Sequence, residues 1–362
     1  MTPFNLPNFP NAFIVCFIDA EAKAKHVAQL ADFRAAEYVN RLACKDSSRP
    51  TVKGQMMVAT CDLREGETVV REWPLLLWPQ RFFVGSVEQA EHFLSLAVNN
   101  LNPVRGAEYR SLKNAWKDYT GSDFRGAGEL SGILNTNMVR ISGSPATDDC
   151  PYGGIFPSLS RMNHSCQPNS SYNYDSHTMT IELRASRSIR KGEEVTISYN
   201  CELMQPTVAR RGRLFDTYRF TCECGACTAA SSDARRAQIL ATPHTTRREF
   251  FTWLASRHLA VQQPQFADDY LIDRAKVGYA LYAREKLVEP VLVESLTHAE
   301  TIMGCYLARG MGREAKFWAG KVRGHMLSHF LPESRDAKVG PTSPEKSELW
   351  NGREKFEGRE QP

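Results

Sequence analysis

The sequence predicts an α+β fold, in which a β-rich core of small sheets is followed by an α-helical domain. Two observations lead to this prediction. Short β-branched runs separated by turn-forming residues recur between residues 51 and 200, and most segments after Cys227 have apolar residues at helical spacing. Because strands and helices occupy separate parts of the chain, small sheets are favoured over a parallel α/β core.

Length and composition are those of an ordinary globular protein with several domains. The chain has 362 residues, of which 42% are hydrophobic and 24% are charged, so it can form buried cores without covalent staples. Its 45 basic and 41 acidic residues leave a formal net charge of +4. This balance does not predict a surface for nucleic acid or anionic membranes. The dense basic cluster near the later cysteines, Arg210, Arg211 and Arg213, is interpreted as a solvated helix face.

Residues 1–50 are predicted to form a helical extension. Residues 20–44 carry apolar side chains at mixed spacings of three and four among charged ones, which is typical of an amphipathic helix. The apolar run at 12–18 is too short and too poorly flanked for a signal peptide. No segment approaches the roughly 18 apolar residues that span a bilayer. We therefore expect no membrane contact and an intracellular location, cytoplasmic, nuclear or both.

A β-rich domain is predicted over residues 51–200, with a helical insertion at about 80–126. The segment MMVATCDLREGETVVREWPLLLW indicates two strands around a turn at Glu65-Gly66. The segments AEHFLSLAVNNL and EYRSLKNAWKDY have apolar residues at helical spacing and define the insertion. Strand patterns are also present in three later segments, 138–141, 178–183 and 195–198.

An α-helical domain is predicted over residues 231–331, and a disordered tail over 332–362. Helical spacing is clear in REFFTWLASRHLAV, YLIDRAKVGYALYAREKLV, LTHAETIMGCYLARGM and EAKFWAGKVRGHMLSHFL. The last two segments, separated by Gly310 and Gly312, predict a helical hairpin of tetratricopeptide type, although one hairpin does not establish a repeat array. Charged and small residues dominate the tail.

Three of the ten cysteines fall within six residues, at Cys222, Cys224 and Cys227. Such spacing in a chain without a disulfide-type cysteine pattern indicates a metal site. The three thiolates can converge on one ion, and a structural zinc ion takes four ligands. Cys166, Cys201 or a histidine are candidates for the fourth. The alternative, three unrelated thiols in a loop, is disfavoured because isolated buried cysteines rarely cluster this tightly.

The segment Arg161–Tyr199 reads RMNHSCQPNSSYNYDSHTMTIELRASRSIRKGEEVTISY and precedes the cysteine cluster. The order and spacing of NHSC, GEEVTISY and C-x-C-x-x-C resemble a SET-domain protein-lysine methyltransferase of the SET-and-MYND class. The resemblance covers about residues 51–228. The MYND finger is predicted to be absent, since no cysteine lies between Trp73 and Asn137.

The resemblance implies that the β-rich core is a SET core and that residues 201–230 are a post-SET segment. In related proteins the cysteine of NHSC completes the post-SET zinc site, which here implies Cys166 together with Cys222, Cys224 and Cys227. The ion would attach the post-SET segment to the SET core and contribute to folding. Structural zinc and S-adenosylmethionine are therefore the two cofactors that the resemblance implies.

Roles in binding S-adenosylmethionine are implied for six residues, Gly54, Asn137, Asn163, His164, Tyr199 and Phe220. Asn135 is an alternative to Asn137. Gly54 opens a G-x-G motif whose second glycine is replaced here by Met56. Because a side chain at that position can crowd the cofactor, a catalytically inactive SET-fold interaction scaffold is the alternative function.

Tyr199 ends GEEVTISY and matches the family's catalytic tyrosine. Methyl transfer is an in-line displacement by a neutral amine, whereas free lysine has a pKa of about 10.4. The resemblance implies that Tyr199 orients the lysine amine and that Tyr218 and Phe220 line a narrow aromatic channel around its stem. The predicted function is therefore methylation of a lysine in a protein substrate, histone or non-histone.

Overall fold

The structure is a computed structural model, and it describes the following residues: 2–4, 15–18, 38–46, 54–79, 86–118, 128–141, 152–175, 178–199, 202–287, 294–329 and 344–355. The chain divides into two compact units. The first comprises residues 1–165, 169–199 and 211–222, and the second comprises residues 166–168, 200–210 and 223–362.

All strands in the described part of the chain belong to the first unit. They are β1 (Thr2–Phe4), β2 (Val15–Ile18), β3 (Val39–Asn40), β4 (Leu42–Asp46), β5 (Gln55–Ala59), β6 (Thr68–Glu72), β7 (Leu76–Pro79), β8 (Val139–Ile141), β9 (Tyr152–Ile155), β10 (Asn163–His164), β11 (Ser170–Asp175), β12 (Thr180–Ala185) and β13 (Thr196–Ile197).

These strands form several small sheets, as the sequence predicted. One sheet has the order β1-β2-β7-β9-β8 and another the order β11-β12-β6-β3. β4 pairs with β5, and β10 pairs with β13. The predicted α+β class with small sheets is therefore confirmed.

The core of the first unit lies against β6 and β12. Ile181 and Leu183 alternate along β12 and are fully buried, and Leu183 pairs with Val70 of β6. The turn before β6 contains Gly66 with a φ of +83°, a conformation that glycine adopts without a steric penalty. The turn predicted at Glu65-Gly66 is therefore present where the sequence indicated it.

Two helices lie in the predicted insertion, α1 (Val87–Asn99) and α2 (Pro103–Arg110), each with a side-chain cap. A third helix, α3 (Glu129–Asn137), follows where no helix was predicted. Its first amides are capped from a distance, since the carboxylate of Glu91 accepts hydrogen bonds from the backbone N–H groups of Leu130 and Ser131 at 3.1 and 2.6 Å. A cap supplied by another helix has no local sequence signature.

The helix predicted over residues 20–44 is wrong for its final part, where residues 39–40 and 42–46 are the strands β3 and β4. Residues 20–37 lie outside the described residues. The physical reason is strand pairing, because β4 pairs in antiparallel register with β5 and β3 pairs with β6. Such pairing overrides a weak local helical pattern.

Helices make up the second unit, as predicted. The first of them, α4 (Thr207–Tyr218), has residues in both units. The other helices of this unit are α5 (Gly225–Thr228), α6 (Ser232–Ala241), α7 (Arg247–Ala255), α8 (Tyr270–Arg284), α9 (Glu294–Ala308), α10 (Gly312–His329) and α11 (Gly352–Lys355). The predicted helical hairpin corresponds to α9 and α10, where Leu296 and Ala299 pack against Val322.

His298 on α9 is buried in this unit, and its Nε2 atom has no hydrogen-bond partner among the described residues. The His244 ring lies 4.5 Å away and the Tyr282 ring 6.0 Å away. Gly278 of α8 leaves the space for the imidazole, because a Cβ there would lie 2.4 Å from the ring. Burial, and then the positive charges of His244 and Arg274, lower the pKa of His298 to about 4.

We predict that the free energy of unfolding falls as the pH drops from about 6.5 towards 4. His298 is neutral in the folded chain, whereas in the unfolded chain it titrates near 6.5, so protons bind preferentially to the unfolded state. Between pH 7 and pH 5, the free energy of unfolding of a His298→Asn variant should fall by about 1–2 kcal/mol less than that of the native chain. Urea unfolding at both pH values measures the difference. Equal losses in both proteins would exclude His298 as the source.

The tail predicted to be disordered over residues 332–362 is ordered in part, because residues 344–355 are described and include α11. The guanidinium of Arg353 stacks on the ring of Trp253 at 4.1 Å from its centroid. It also donates to the carboxylate of Asp268 at 3.1 Å and to the carbonyl of Trp253. The charged composition of the tail predicted disorder. Arg353, however, is buried and its charge is paired. Residues 332–343 and 356–362 lie outside the described residues.

Candidate active site and metal centre

The first three residues of NHSC, 163–165, and the GEEVTISY segment lie next to each other in the first unit. β10, Asn163–His164, pairs in parallel register with β13, and the Ser165 N–H donates to the Ile197 carbonyl at 2.9 Å. The two segments are about thirty residues apart in sequence, and this short parallel ladder places them side by side. Asn163, His164 and Tyr199 therefore lie close together in the fold.

Hydrogen bonds fix both NHSC side chains that were singled out from the sequence. The Asn163 side-chain amide donates to the Gln55 carbonyl at 3.2 Å and to the Glu194 carboxylate at 2.8 Å. The Tyr199 backbone N–H donates to Nδ1 of His164 at 3.0 Å. Because Nδ1 accepts this bond, the neutral ring carries its proton on Nε2. The site residues on β10 are thus held by β5 and by the end of the GEEVTISY segment.

Aromatic rings surround Tyr199. Its ring centroid lies 4.8 Å from that of Tyr218, 5.3 Å from that of His164 and 6.2 Å from that of Phe220. The His164 and Phe220 rings are 6.3 Å apart. These distances are typical of packed aromatic pairs. The structure therefore brings together four of the residues predicted for cofactor and lysine binding.

The Tyr199 hydroxyl donates to the backbone carbonyl of Met162, the residue just before NHSC. Burial, then the neighbouring Tyr218 and Glu194, raise the pKa of Tyr199 above its ordinary value. Each of these effects disfavours the phenolate. Tyr199 is therefore a neutral hydrogen-bonding group and cannot act as a base near neutral pH.

The remaining predicted cofactor residues are less closely tied to this cluster. Gly54 precedes β5, has a φ of +156° and leaves open space where a Cβ would stand. Met56 is half-buried on β5, opposite Lys45 of β4. Asn137 is buried at the end of α3, and its amide donates to the carbonyls of Lys113 and Ile133, both at 2.7 Å. The cofactor roles of Gly54 and Asn137 stay predictions.

Sequence reasoning missed Glu72, a buried carboxylate at the end of β6. Its oxygens accept hydrogen bonds from the backbone N–H groups of Ser158 and Leu159, both at 2.9 Å. Burial raises the pKa of Glu72, although these two bonds oppose the shift. The carboxylate holds the turn that leads into NHSC. In the sequence, Glu72 stands two residues after Val70, so the two side chains are expected on the same face of a strand.

The cysteine cluster is closely packed. The sulfur atoms of Cys166, Cys222, Cys224 and Cys227 all lie within 4.8 Å of one another. The Cys166 and Cys227 sulfurs are 3.6 Å apart, close to the separation of about 3.8 Å that follows from tetrahedral zinc with Zn–S bonds of about 2.3 Å. The four donors fit a structural zinc ion. Cys201, the other cysteine considered as a fourth ligand, lies outside the described residues.

Two buried arginines of the second unit, Arg210 and Arg236, contact Cys227 and Cys166 of the same unit. The Arg210 guanidinium lies 3.6 Å from the Cys227 sulfur and 2.9 Å from the Thr207 hydroxyl. Burial by itself lowers the pKa of the Arg210 guanidinium. The interactions with Cys227 and Cys166 together have the larger effect, so the pKa of Arg210 is raised. Arg236 donates to the Cys166 carbonyl at 3.0 Å. These cations offset the negative charge of a four-thiolate zinc site.

The interpretation of Arg210, Arg211 and Arg213 as a solvated helix face is wrong for Arg210, which is 1% exposed. Arg211 is half-buried and donates to the Cys222 carbonyl at 2.9 Å, and only Arg213 is exposed. Helical spacing alone does not reveal which face meets the thiols. The signal that could have indicated the contact is that these basic residues shortly precede a predicted metal site in the sequence.

Comparison with known proteins gives a family match over part of the chain. Residues 54–200 match the family model described as the SET domain. This part of the chain is therefore similar to a SET domain, and the predicted resemblance to SET-domain lysine methyltransferases is confirmed.

The relatives found are lysine methyltransferases. Over 85 residues the chain is 45% identical to human N-lysine methyltransferase SMYD2, 42% identical to the mouse protein and 39% identical to zebrafish SMYD2-B. Each match covers 24% of this chain and 19% of the relative, so the matched part spans about a fifth of the length of these curated relatives.

A crystal structure of a candidate histone methyltransferase from Plasmodium falciparum covers 46% of this chain and 99% of its own, with 12% identity and a TM-score of 0.23. A TM-score of this size is too low to support a conclusion about fold or function. Among the residues that the structure describes, no helix combines the length and apolar character needed to cross a membrane.

Proposed function

We propose that this protein is an S-adenosylmethionine-dependent protein-lysine N-methyltransferase. The observation that carries the proposal is the cluster of Tyr199, Tyr218, Phe220 and His164 beside the paired NHSC and GEEVTISY segments. The match to a SET domain and the N-lysine methyltransferase relatives support the same reaction class. The substrate is a lysine side chain of a protein.

The residues present fit a sulfonium cofactor. Aromatic faces and the Met162 carbonyl beside the Tyr199 hydroxyl offer partial negative charge to a cation. Gly54 leaves room for close approach of a ligand to the backbone. Asn163 and His164, both anchored by hydrogen bonds, would hold the cofactor together with Phe220. When bound, S-adenosylmethionine supplies an electrophilic methyl group.

The chain's own residues bind and orient the lysine. Tyr218 and Phe220 pack along its aliphatic stem, and their apolar surroundings favour the neutral amine over the ammonium ion. Tyr199 stays protonated, so it orients the amine by hydrogen bonding and does not remove its proton. The lysine must therefore lose its proton to solvent before transfer, either before or during its entry into the apolar site. The four cysteines hold a structural zinc ion that stabilises the segment following Phe220.

Calorimetric titration of the zinc-loaded full chain with S-adenosylmethionine tests the proposal. We expect a dissociation constant of about 1–100 μM, and transfer of methyl groups to a library of nonamer peptides with one central lysine, detected by mass spectrometry. A Met56→Gly variant measures how far the Met56 side chain crowds the cofactor. Gln55→Gly, at the neighbouring position of the same strand, controls for the effect of a glycine in β5.

The outcomes separate the proposal from its alternative. Binding and transfer by the native chain support an enzyme. Binding by Met56→Gly but not by the native chain or by Gln55→Gly would mean that the chain is the inactive interaction scaffold that Met56 suggests. Absence of binding by all three proteins would show that the cofactor site is assigned wrongly.

A further inference from the structure

Arg219 occupies an unusual position between the two predicted channel residues. It follows the last residue of α4, Tyr218, and has a φ of +57°. Its backbone N–H donates to the Phe215 carbonyl at 3.0 Å, which is the bond of a left-handed helix cap. Glycine or asparagine usually takes this position, because a side chain raises the energy of the left-handed conformation. Something in the structure must therefore stabilise an arginine here.

The stabilising partner is Trp116, in the helical insertion. The Arg219 guanidinium lies over the Trp116 ring at 4.2 Å from its centroid, and Phe215 is a weaker second contact at 5.8 Å. Trp116 is buried, with 2% exposure, and Arg219 is half-buried, so the stack is partly shielded from water, which strengthens a cation–π contact.

Trp116 is itself held in place. Its backbone N–H donates to the Asn114 side-chain oxygen at 2.9 Å, and the Asn114 amide lies 3.2 Å from the Glu129 carbonyl at the start of α3. The N–H of Ala115 donates to the Thr136 hydroxyl at 3.0 Å. The ring that receives Arg219 is therefore part of the packed helical insertion rather than of a free loop.

The left-handed turn at Arg219 decides where the neighbouring rings point. Both Tyr218 and Phe220 contact Tyr199, with ring centroids 4.8 and 6.2 Å away. A helical conformation at Arg219 would continue α4 and place Phe220 on a different face, about 200° around the helix from Tyr218. The turn is what allows residues on either side of Arg219 to reach the same ring.

We infer that Arg219 is a positioning residue: by stacking on Trp116 it fixes the turn that places Tyr218 and Phe220 against Tyr199, and so sets the fit of the substrate lysine. This inference rests on the proposed methyltransferase function. It assigns to the helical insertion, through Trp116, a part in shaping the lysine site that the SET resemblance did not imply.

Two substitutions separate the stack from the backbone conformation. Arg219→Gly removes the stack but suits the left-handed turn, whereas Trp116→Leu removes the stack and leaves Arg219 in place. For both we expect KM for the lysine nonamer library to rise about tenfold, with kcat and the affinity for S-adenosylmethionine changed about twofold or less. Arg219→Lys keeps a cation over the ring and should restore most of the loss. Arg213→Ala, at an exposed position of the same helix, is the matched control.

A second readout does not need turnover. In protein labelled with 3-fluorotyrosine, the ¹⁹F resonance of Tyr218, assigned by its loss in Tyr218→Phe, should shift in Arg219→Gly and stay unchanged in Arg213→Ala. If the native chain transfers no methyl group, the proposed function fails while this shift still decides the inference. An unchanged Tyr218 resonance in both Arg219→Gly and Trp116→Leu, or unchanged KM in an active enzyme, would overturn it.

Discussion

A Cys224→Ser variant should lose its zinc ion and most of the stability of the segment around the four cysteines. The Cys224 sulfur lies among the four clustered thiols and also accepts a hydrogen bond from the Cys166 backbone N–H at 3.3 Å. A serine hydroxyl is not deprotonated at neutral pH and is a poor zinc ligand. We expect zinc content below half an ion per chain and a fall of more than roughly 3 kcal/mol in the free energy of unfolding.

Metal analysis by mass spectrometry and urea unfolding measure both effects. Cys61→Ser changes an exposed thiol outside the cluster and should leave both quantities unchanged. Cys305→Ser changes a thiol buried in the helical core, so it should lower stability but retain zinc. If Cys224→Ser kept one zinc ion per chain and native stability, the four-cysteine site would not be a zinc site.

A Tyr199→Phe variant should lose methyl transfer while still binding the cofactor. The substitution keeps the ring that contacts Tyr218 and Phe220 but removes the hydroxyl that donates to the Met162 carbonyl. We expect kcat to fall about a hundredfold or more, with the dissociation constant of S-adenosylmethionine changed about twofold or less. Stability should decrease by about 1 kcal/mol, since one buried hydrogen bond is lost.

Single-turnover kinetics with the nonamer peptide library, together with calorimetry, distinguish these quantities. Tyr174→Phe is the matched control, because Tyr174 is a half-buried tyrosine that packs on the same core, with its ring 6.3 Å from that of Phe156. It should leave kcat near the native value. Native turnover in Tyr199→Phe would remove the hydroxyl from the mechanism.

The candidate site could be predicted from the sequence only where its residues are close together along the chain or belong to a recognisable motif. Cys222, Cys224 and Cys227 are such a case, because their spacing alone indicates metal binding. NHSC and GEEVTISY were identified through resemblance. Glu72 and Arg210 were not identified, since the position of a charged residue on a strand or helix is only a weak indication that it is buried and paired.

The same limit applies to predicting the fold from the sequence. The helices of the second unit were predicted because each carries its own apolar face, as in α8 and α9. β4 and α3 were not, since one depends on pairing with β5 and the other on a cap from Glu91. In both cases the stabilising partner is distant in sequence.

By itself, then, the sequence determined the α+β class, the spacing of the three later cysteines and the motifs of the candidate site, because local periodicity, spacing and motifs carry that information. The tertiary structure alone decided that Tyr218 and Phe220 face Tyr199, that Arg219 stacks on Trp116, and that residues 344–355 fold back onto the helical core. The physical reason is that each of these arrangements depends on a contact between side chains far apart in the chain, and the free energy of such contacts overrides local preference.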